Sequence, residues 1–247
     1  MPSAGCGKGG VPNGGLITTA DHIISFPPTY DGTTAIPMIF GFHAASNPVT
    51  QIRDLTKGTE LDKNFVMVFP KSMGSQWSKG ADDAKVNALF DTMMSTYCID
   101  TSRVFAVGHS SGAQYIVQML CAGDKRFKAI GPVASSMYCG SWKSGAIPAL
   151  VVHNINDKER AKIGDGDGAK DLIPYLASNA CGNSTTPYDV GSCSGGSAAV
   201  KPGCVEYQSC GEPLVWCHHD DPSYGGTGHG WPCFASHAFY QFFTSLP

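Results

Sequence analysis

Three side chains of the types that together make an alcohol reactive stand far apart in this chain: Ser110, Asp157 and His229. Ser110 is the middle residue of Gly108-His109-Ser110-Ser111-Gly112, a G-x-S-x-G sequence. Val104 to Val107 before it read as a buried strand. Ala113, Ile116, Val117 and Leu120 after it fall at helical spacing. Strand, tight glycine-flanked turn and helix is the setting of a nucleophile elbow, where small neighbours make room for a serine hydroxyl pushed out of the backbone. A serine hydroxyl is a poor nucleophile at neutral pH. It needs a base within about 3 Å, and that base needs a carboxylate to orient it.

In the order serine, acid, histidine, the acid expected is Asp157, in the turn after the apolar run Ala149 to His153. Asp165 and Asp167 compete for that role. Their Gly-Asp-Gly-Asp-Gly setting reads as a turn rather than a calcium loop, because Leu176 stands where a loop glutamate would be needed. The base expected is His229, on the glycine-rich stretch Gly225 to Pro232 before the last helix. His218 and His219 beside Asp220 and Asp221 lack metal-ligand spacing, and no metal or cofactor is expected. An oxyanion needs two N–H donors. The backbone of Ser111 supplies one. Ala45, or in its place Ala44, supplies the other, from the loop after the second strand. His43 reads as a structural hydrogen-bonder. Trp77, Gln114 and Trp231 are the candidates for lining an acyl or sugar pocket.

The elements that must position these groups alternate. Thr18–Phe26 reads as an antiparallel strand, Ile36–Phe42 as a second and Phe65–Phe69 as a third. A helix is expected over Asp83–Tyr97, with an apolar stripe of Val86, Leu89, Phe90, Met93 and Tyr97 and with Asp82 or Asp83 as its N-cap. The elbow strand and helix follow, then strands over Ala129–Val133 and Ile147–His153 and a helix over Gly168–Ala180. Residues 181–213, rich in Cys, Gly, Ser and Pro, read as a disulfide-pinned excursion. A strand at Leu214–Cys217 and a C-terminal helix through Ala235, Ala238, Phe239 and Phe242 complete the chain. This rhythm predicts one α/β domain over residues 1–247, a mostly parallel central sheet with helices on both faces. Its sites belong at the carboxyl ends of the strands.

The 247 residues carry a net charge of −3 with no basic block, which argues against nucleic acid or an anionic membrane surface as partner. No apolar run approaches the roughly 18 residues of a membrane span. Charged residues are 15% of the chain, and Gly (30) and Pro (16) are plentiful, a loop-rich and weakly charged surface. The ten cysteines, with no C-x-x-C pair among them, predict five disulfides and an oxidising, extracellular compartment. Their pairing is one of on the order of 900 possibilities. Met1–Cys6 lacks the apolar core of a signal peptide, so the chain reads as mature. Asn183-Ser184-Thr185 is a glycosylation sequon.

Together these pieces resemble the secreted fungal feruloyl esterases of carbohydrate esterase family 1 and the related polyhydroxybutyrate depolymerase-like esterases. The resemblance is carried by the strand ending in His43, Trp77 before Asp82-Asp83, Tyr97-Cys98-Ile99-Asp100 before Arg103-Val104-Phe105, the Ser110 motif, and Gly228-His229-Gly230-Trp231-Pro232. It implies an α/β-hydrolase fold and a Ser110, Asp157, His229 triad. It also implies feruloylated plant cell-wall polysaccharides as substrates of a monomeric, extracellular enzyme. The chain departs from the family pattern at Ala44, where relatives often have glycine, and at Asn154 in His153-Asn154-Ile155-Asn156-Asp157. Acetylated xylan and short polyesters are the alternative substrates. A serine peptidase and a carbohydrate-binding protein without catalysis are the alternative functions.

Overall fold

The computed structural model describes all residues except 9, 11–14, 136–138, 140–141, 158–167, 196–197, 201 and 222–227. Asp165 and Asp167, and Gly225 to Thr227, lie outside the described residues. Six strands form a parallel core: β3 (Ile36–Phe42), β4 (Val66–Pro70), β5 (Ile99–His109), β6 (Ala129–Val133), β7 (Ala149–Asn154) and β12 (Leu214–His219). They lie in the order β4-β3-β5-β6-β7-β12. Antiparallel strands extend both sides, β1 (Leu16–Thr18) and β2 (His22–Ser25) beyond β4, and β11 (Gly203–Tyr207) and β8 (Thr185–Pro187) beyond β12. A separate hairpin pairs β9 (Cys193–Gly195) with β10 (Ala198–Val200).

Successive side chains on a strand point to opposite faces, so a sheet covered on both sides is apolar at every position. Val66 to Phe69 are all buried for this reason. Phe40, Val68 and Ala106 face one cluster, shared with Val86, Leu89 and Met93 of α3 (Asp83–Thr96), Tyr115 of α4 (Ser111–Cys121) and Leu172 of α5 (Gly168–Ser178). Ile39, Phe105 and Val107 face the other cluster. There they meet Ile52 of α1 (Gln51–Thr56), Leu61 of α2 (Glu60–Asn64) and Phe239 and Phe243 of α6 (Ala235–Ser245). Phe105 and Phe243 stack at 4.5 Å between ring centroids.

Several sequence expectations need correction. Thr18–Phe26 is a hairpin, not one strand. The Thr19 hydroxyl accepts from the Asp21 and His22 amides and turns the chain between β1 and β2. The elbow strand is much longer than its four apolar residues, because Ile99 already pairs with Ile36 and the strand runs on through an irregularity over Asp100 to Arg103 before Val104 pairs with Met38. Helices α1 and α2 carry too short an apolar stripe to stand out in the sequence. Asp82 stands at the N-cap of α3 but does not cap it. Its buried carboxylate accepts the amides of Met73 (2.7 Å) and Ser78 (2.8 Å) instead and closes the loop that carries Trp77. Residues 181–213 contain two strands of the main sheet, besides the β9–β10 hairpin.

All ten cysteines pair: Cys6–Cys98, Cys121–Cys139, Cys181–Cys210, Cys193–Cys233 and Cys204–Cys217. Cys204 and Cys217 are cross-strand neighbours of β11 and β12. Cys6 fastens the amino-terminal segment to the start of β5, where the Ser3 amide also donates to the Ile99 carbonyl.

The tightest joint is between β3 and α4. A Cβ placed on Gly112 would lie 2.1 Å from the Phe42 carbonyl oxygen, so only glycine lets the helix approach the strand. Gly112→Ala is expected to lower unfolding stability by about 1–3 kcal/mol. Urea denaturation checks this, and an unchanged midpoint would contradict the close approach.

Candidate active site

The parallel strands end at one edge, and each contributes a turn there. β5 ends at His109, and the chain reverses into α4 through Ser110, whose φ of 52° and ψ of −114° are rare for a residue with a side chain. Such a conformation costs on the order of 1–3 kcal/mol and persists only where surroundings enforce it. They do so here: the Ser110 amide donates to the Val133 carbonyl at 2.9 Å, and the Ser110 carbonyl accepts from the Gln114 amide at 2.9 Å.

The turn after β7 brings in Asp157, which is fully buried. Asn154 shapes that turn: its side-chain oxygen accepts from the Asn156 amide, and its side-chain nitrogen donates to the Asp221 carbonyl. His229 comes from the loop between β12 and α6. Gly228 before it has φ of +71°, and a Cβ there would lie 2.9 Å from the Asn156 carbonyl, so the loop backbone rests directly on the acid turn. The Cys193–Cys233 disulfide and a 3.1 Å bond from the Cys233 amide to the Asp221 carboxylate fasten the far side of the loop.

These turns bring the three side chains into line. His229 Nε2 lies 2.7 Å from Ser110 Oγ, and His229 Nδ1 lies 2.8 Å from Asp157 Oδ2. Ser110 is 5% and His229 9% exposed, so both are buried apart from a small exposed fraction. A carboxylate at Nδ1 sets the tautomer that leaves Nε2 free to take the hydroxyl proton.

The amides expected as oxyanion donors differ in their partners. Ser111 is the first residue of α4, so its amide has no partner within the helix. The Ala45 amide donates to no described residue. Ala44, the alternative expectation, already donates its amide to Gln51 Oε1 at 2.7 Å. His43 is a buried hydrogen-bonder: Nε2 accepts the Ser72 amide at 3.1 Å, Nδ1 lies 2.8 Å from the Ala44 carbonyl, and burial pushes its pKa down.

Trp77 and Trp231 do not form an open pocket wall. Each is only 4% exposed. Trp77 donates to the His43 carbonyl at the start of the loop after β3 and stacks on Tyr115, while its amide donates to Ser111 Oγ. Trp231 packs on Phe239 of the second core cluster. The reason is that large rings beside a strand end fill the sheet-to-helix gap first. Gln114, half-buried one turn after Ser110, remains beside the site.

The sequence reading missed four contributors. His153 Nε2 sits 3.6 Å from Asp157 Oδ2 on its other side. His109 lies against His229 with ring centroids 5.4 Å apart. Gln51 touches both Ala44 and His109. Asp221 holds the base loop. His109 alone had a visible signal, its place beside Ser110. Among the described residues no group of three or more His, Cys, Asp or Glu could hold a metal ion, and no helix is long and apolar enough to cross a membrane.

No family model matches the chain. Curated proteins similar to it over 98% of its length are "Probable feruloyl esterase C" of Aspergillus terreus (26% identity, 91% of that protein), "Feruloyl esterase C" of Emericella nidulans (23%, 90%) and "Feruloyl esterase D" of Neurospora crassa (24%, 90%). Among solved structures, acetyl xylan esterase from Aspergillus awamori matches with a TM-score of 0.61 at 13% identity, over 100% of this chain and 99% of that one. The Bacillus cereus carboxylesterase matches at 0.58 and 9% identity, over 92% and 95%. The chain has the α/β-hydrolase fold. In an α/β-hydrolase the serine, acid and histidine follow one another in this chain order.

Burial also sets a pH dependence. It pushes His109 and His219 from 6.5 down to about 4. The unfolded chain therefore binds protons at these sites that the folded protein does not, between pH 6.5 and about 4. Their stabilisation is complete above pH 6.5 and is lost as pH falls towards 4. Urea midpoints should drop across that interval and be flat just above it, and His219→Asn should reduce the slope. A slope unchanged by His219→Asn would contradict the buried neutral ring.

Proposed function

We propose that this protein is a serine carboxylic-ester hydrolase that releases ferulic and related hydroxycinnamic acids from esters on plant cell-wall polysaccharides. The observation that carries the reading is the aligned pair of contacts, 2.7 Å from serine to histidine and 2.8 Å from histidine to aspartate. The substrate class rests on the near-full-length similarity to curated feruloyl esterases.

His229 Nε2 takes the Ser110 proton as Oγ attacks the ester carbonyl. Charge develops on the carbonyl oxygen, where the amides of Ser111 and Ala45 receive it. Each donor contributes about 3 kcal/mol to the transition state. The proton on His229 passes to the departing sugar oxygen, leaving hydroxycinnamoyl-Ser110. Water, deprotonated by His229, then releases the acid and restores the serine. Asp157, with no solvent around it, holds the imidazole and balances its transient charge. Gln114 borders the entering ester. The five disulfides suit an extracellular single-domain monomer.

An acetyl ester would use the same groups, so the comparison of substrates decides between them. The expected result is turnover of methyl ferulate at a kcat/KM at least comparable with that for 4-nitrophenyl acetate; turnover of the acetate alone would end the feruloyl assignment. Ser110→Ala should lower kcat by about 10⁴- to 10⁶-fold and abolish labelling by a fluorophosphonate probe. Labelling that persists in Ser110→Ala would remove Ser110 from the mechanism.

A further inference from the structure

We propose that Gln51 is a positioning residue which, through the His109 ring, ties the loop bearing the second oxyanion donor to the loop bearing the general base. The inference rests on the acyl-transfer reading above for its functional meaning, but the hydrogen-bond chain is a separate claim about the fold.

The polarity of the chain follows from one group that has no choice. The Ala44 amide can only donate, and it lies 2.7 Å from one end of the Gln51 carboxamide, which must therefore be the oxygen. The nitrogen end then faces His109 Nδ1 at 3.1 Å and donates to it. An accepting Nδ1 places the proton of a neutral ring on Nε2. The ring lies against His229, with ring centroids 5.4 Å apart, and the His229 backbone acts on it. Donor meets acceptor at both hydrogen bonds, Ala44 to Gln51 and Gln51 to His109, and ring packing carries the contact on to His229.

The links join segments that are distant in sequence. Ala44 precedes the proposed donor Ala45 directly, His109 precedes Ser110 directly, and His229 is the proposed base. A shift of Gln51 would act on the oxyanion loop, the elbow and the base loop together. His109 is only 3% exposed, so water cannot readily replace a lost partner. His229 and Asp157 are the titratable groups that act on this ring. Burial and the neighbouring His229 keep it neutral, with a pKa near 4, and the backbone bond and the Asp157 carboxylate oppose them without prevailing. A neutral ring is what the chain requires, since a protonated Nδ1 would confront the Gln51 N–H.

The test uses wild type, Gln51→Met and Gln51→Glu. Nitrogen-15 NMR of wild-type His109 should show the neutral Nε2–H tautomer from pH 8 down to about 5. Gln51→Glu keeps an acceptor for Ala44 but turns an acceptor towards Nδ1, so His109 should become doubly protonated at neutral pH. Gln51→Met breaks both links and should lower kcat on a feruloyl ester by about 10- to 100-fold, with KM changed less than about twofold. A wild-type His109 protonated at Nδ1, or a Gln51→Met enzyme with unaltered kcat, overturns the proposal. If Gln51→Met fails to fold, the wild-type and Gln51→Glu spectra decide. A wild-type protein that turns over no ester but shows the expected tautomer would defeat the acyl-transfer reading and with it the positioning role, while leaving the hydrogen-bond chain standing as a feature of the fold.

Discussion

A serine held at a φ of 52° is the constraint on which the rest of this structure depends. The conformation aims the hydroxyl outward, and it is unfavourable unless both flanking elements are fixed. Gly112 lets α4 press against the Phe42 carbonyl, and Gly108 leaves room beneath the Gly112 backbone. The sheet behind supplies the rigidity. Phe42, Val107 and Val133 are all buried at strand ends, so the turn between β5 and α4 cannot relax without opening the core.

The acid and base are held by different means. Asp157 sits on a short turn fixed by Asn154, close to β7. His229 sits between β12 and α6, where no helix or strand is present among the described residues. Covalent and polar fastenings replace that structure: the Cys193–Cys233 bridge, the Asp221 carboxylate on the Cys233 amide, and the Gly228 backbone pressed on the acid turn. The β9 strand containing Cys193 lies outside the main sheet, so the excursion of residues 181–213 serves to anchor the base loop as well as to widen the sheet. Under the acyl-transfer reading, precision at the histidine comes from cross-links rather than from packing.

Much of the framework was legible because its signals are local. Val104 to Val107 followed by a glycine-flanked serine marks the end of a strand whatever lies around it. Ala129–Val133 is apolar throughout and is a central strand throughout. The misread segments have local patterns that admit two structures. Thr18–Phe26 alternates like one strand and is two, because a threonine hydroxyl turns the chain midway. Asp82 has the residue type and place of an N-cap, yet its carboxylate is drawn to the amides of a preceding loop. Helix α1 is a single short turn-and-a-half whose identity depends on the sheet it packs against.

Residue types, and their order along the chain, marked by themselves a strand, tight turn and helix around Ser110 and pointed to Ser110, His229 and, in competition with Asp165 and Asp167, Asp157 as the groups to be brought together. The cysteine count settled that disulfides staple the fold. Tertiary structure alone decided which cysteines pair, that the Ala44 amide is already donated, that Trp77 and Trp231 stand behind the site, and that Gln51 reaches His109. The physical reason is range. Steric and hydrogen-bonding preferences of the backbone act over a few neighbouring residues and so are written in the local sequence. A hydrogen bond between residues 58 positions apart exists only after the fold has brought helix α1 to the end of β5.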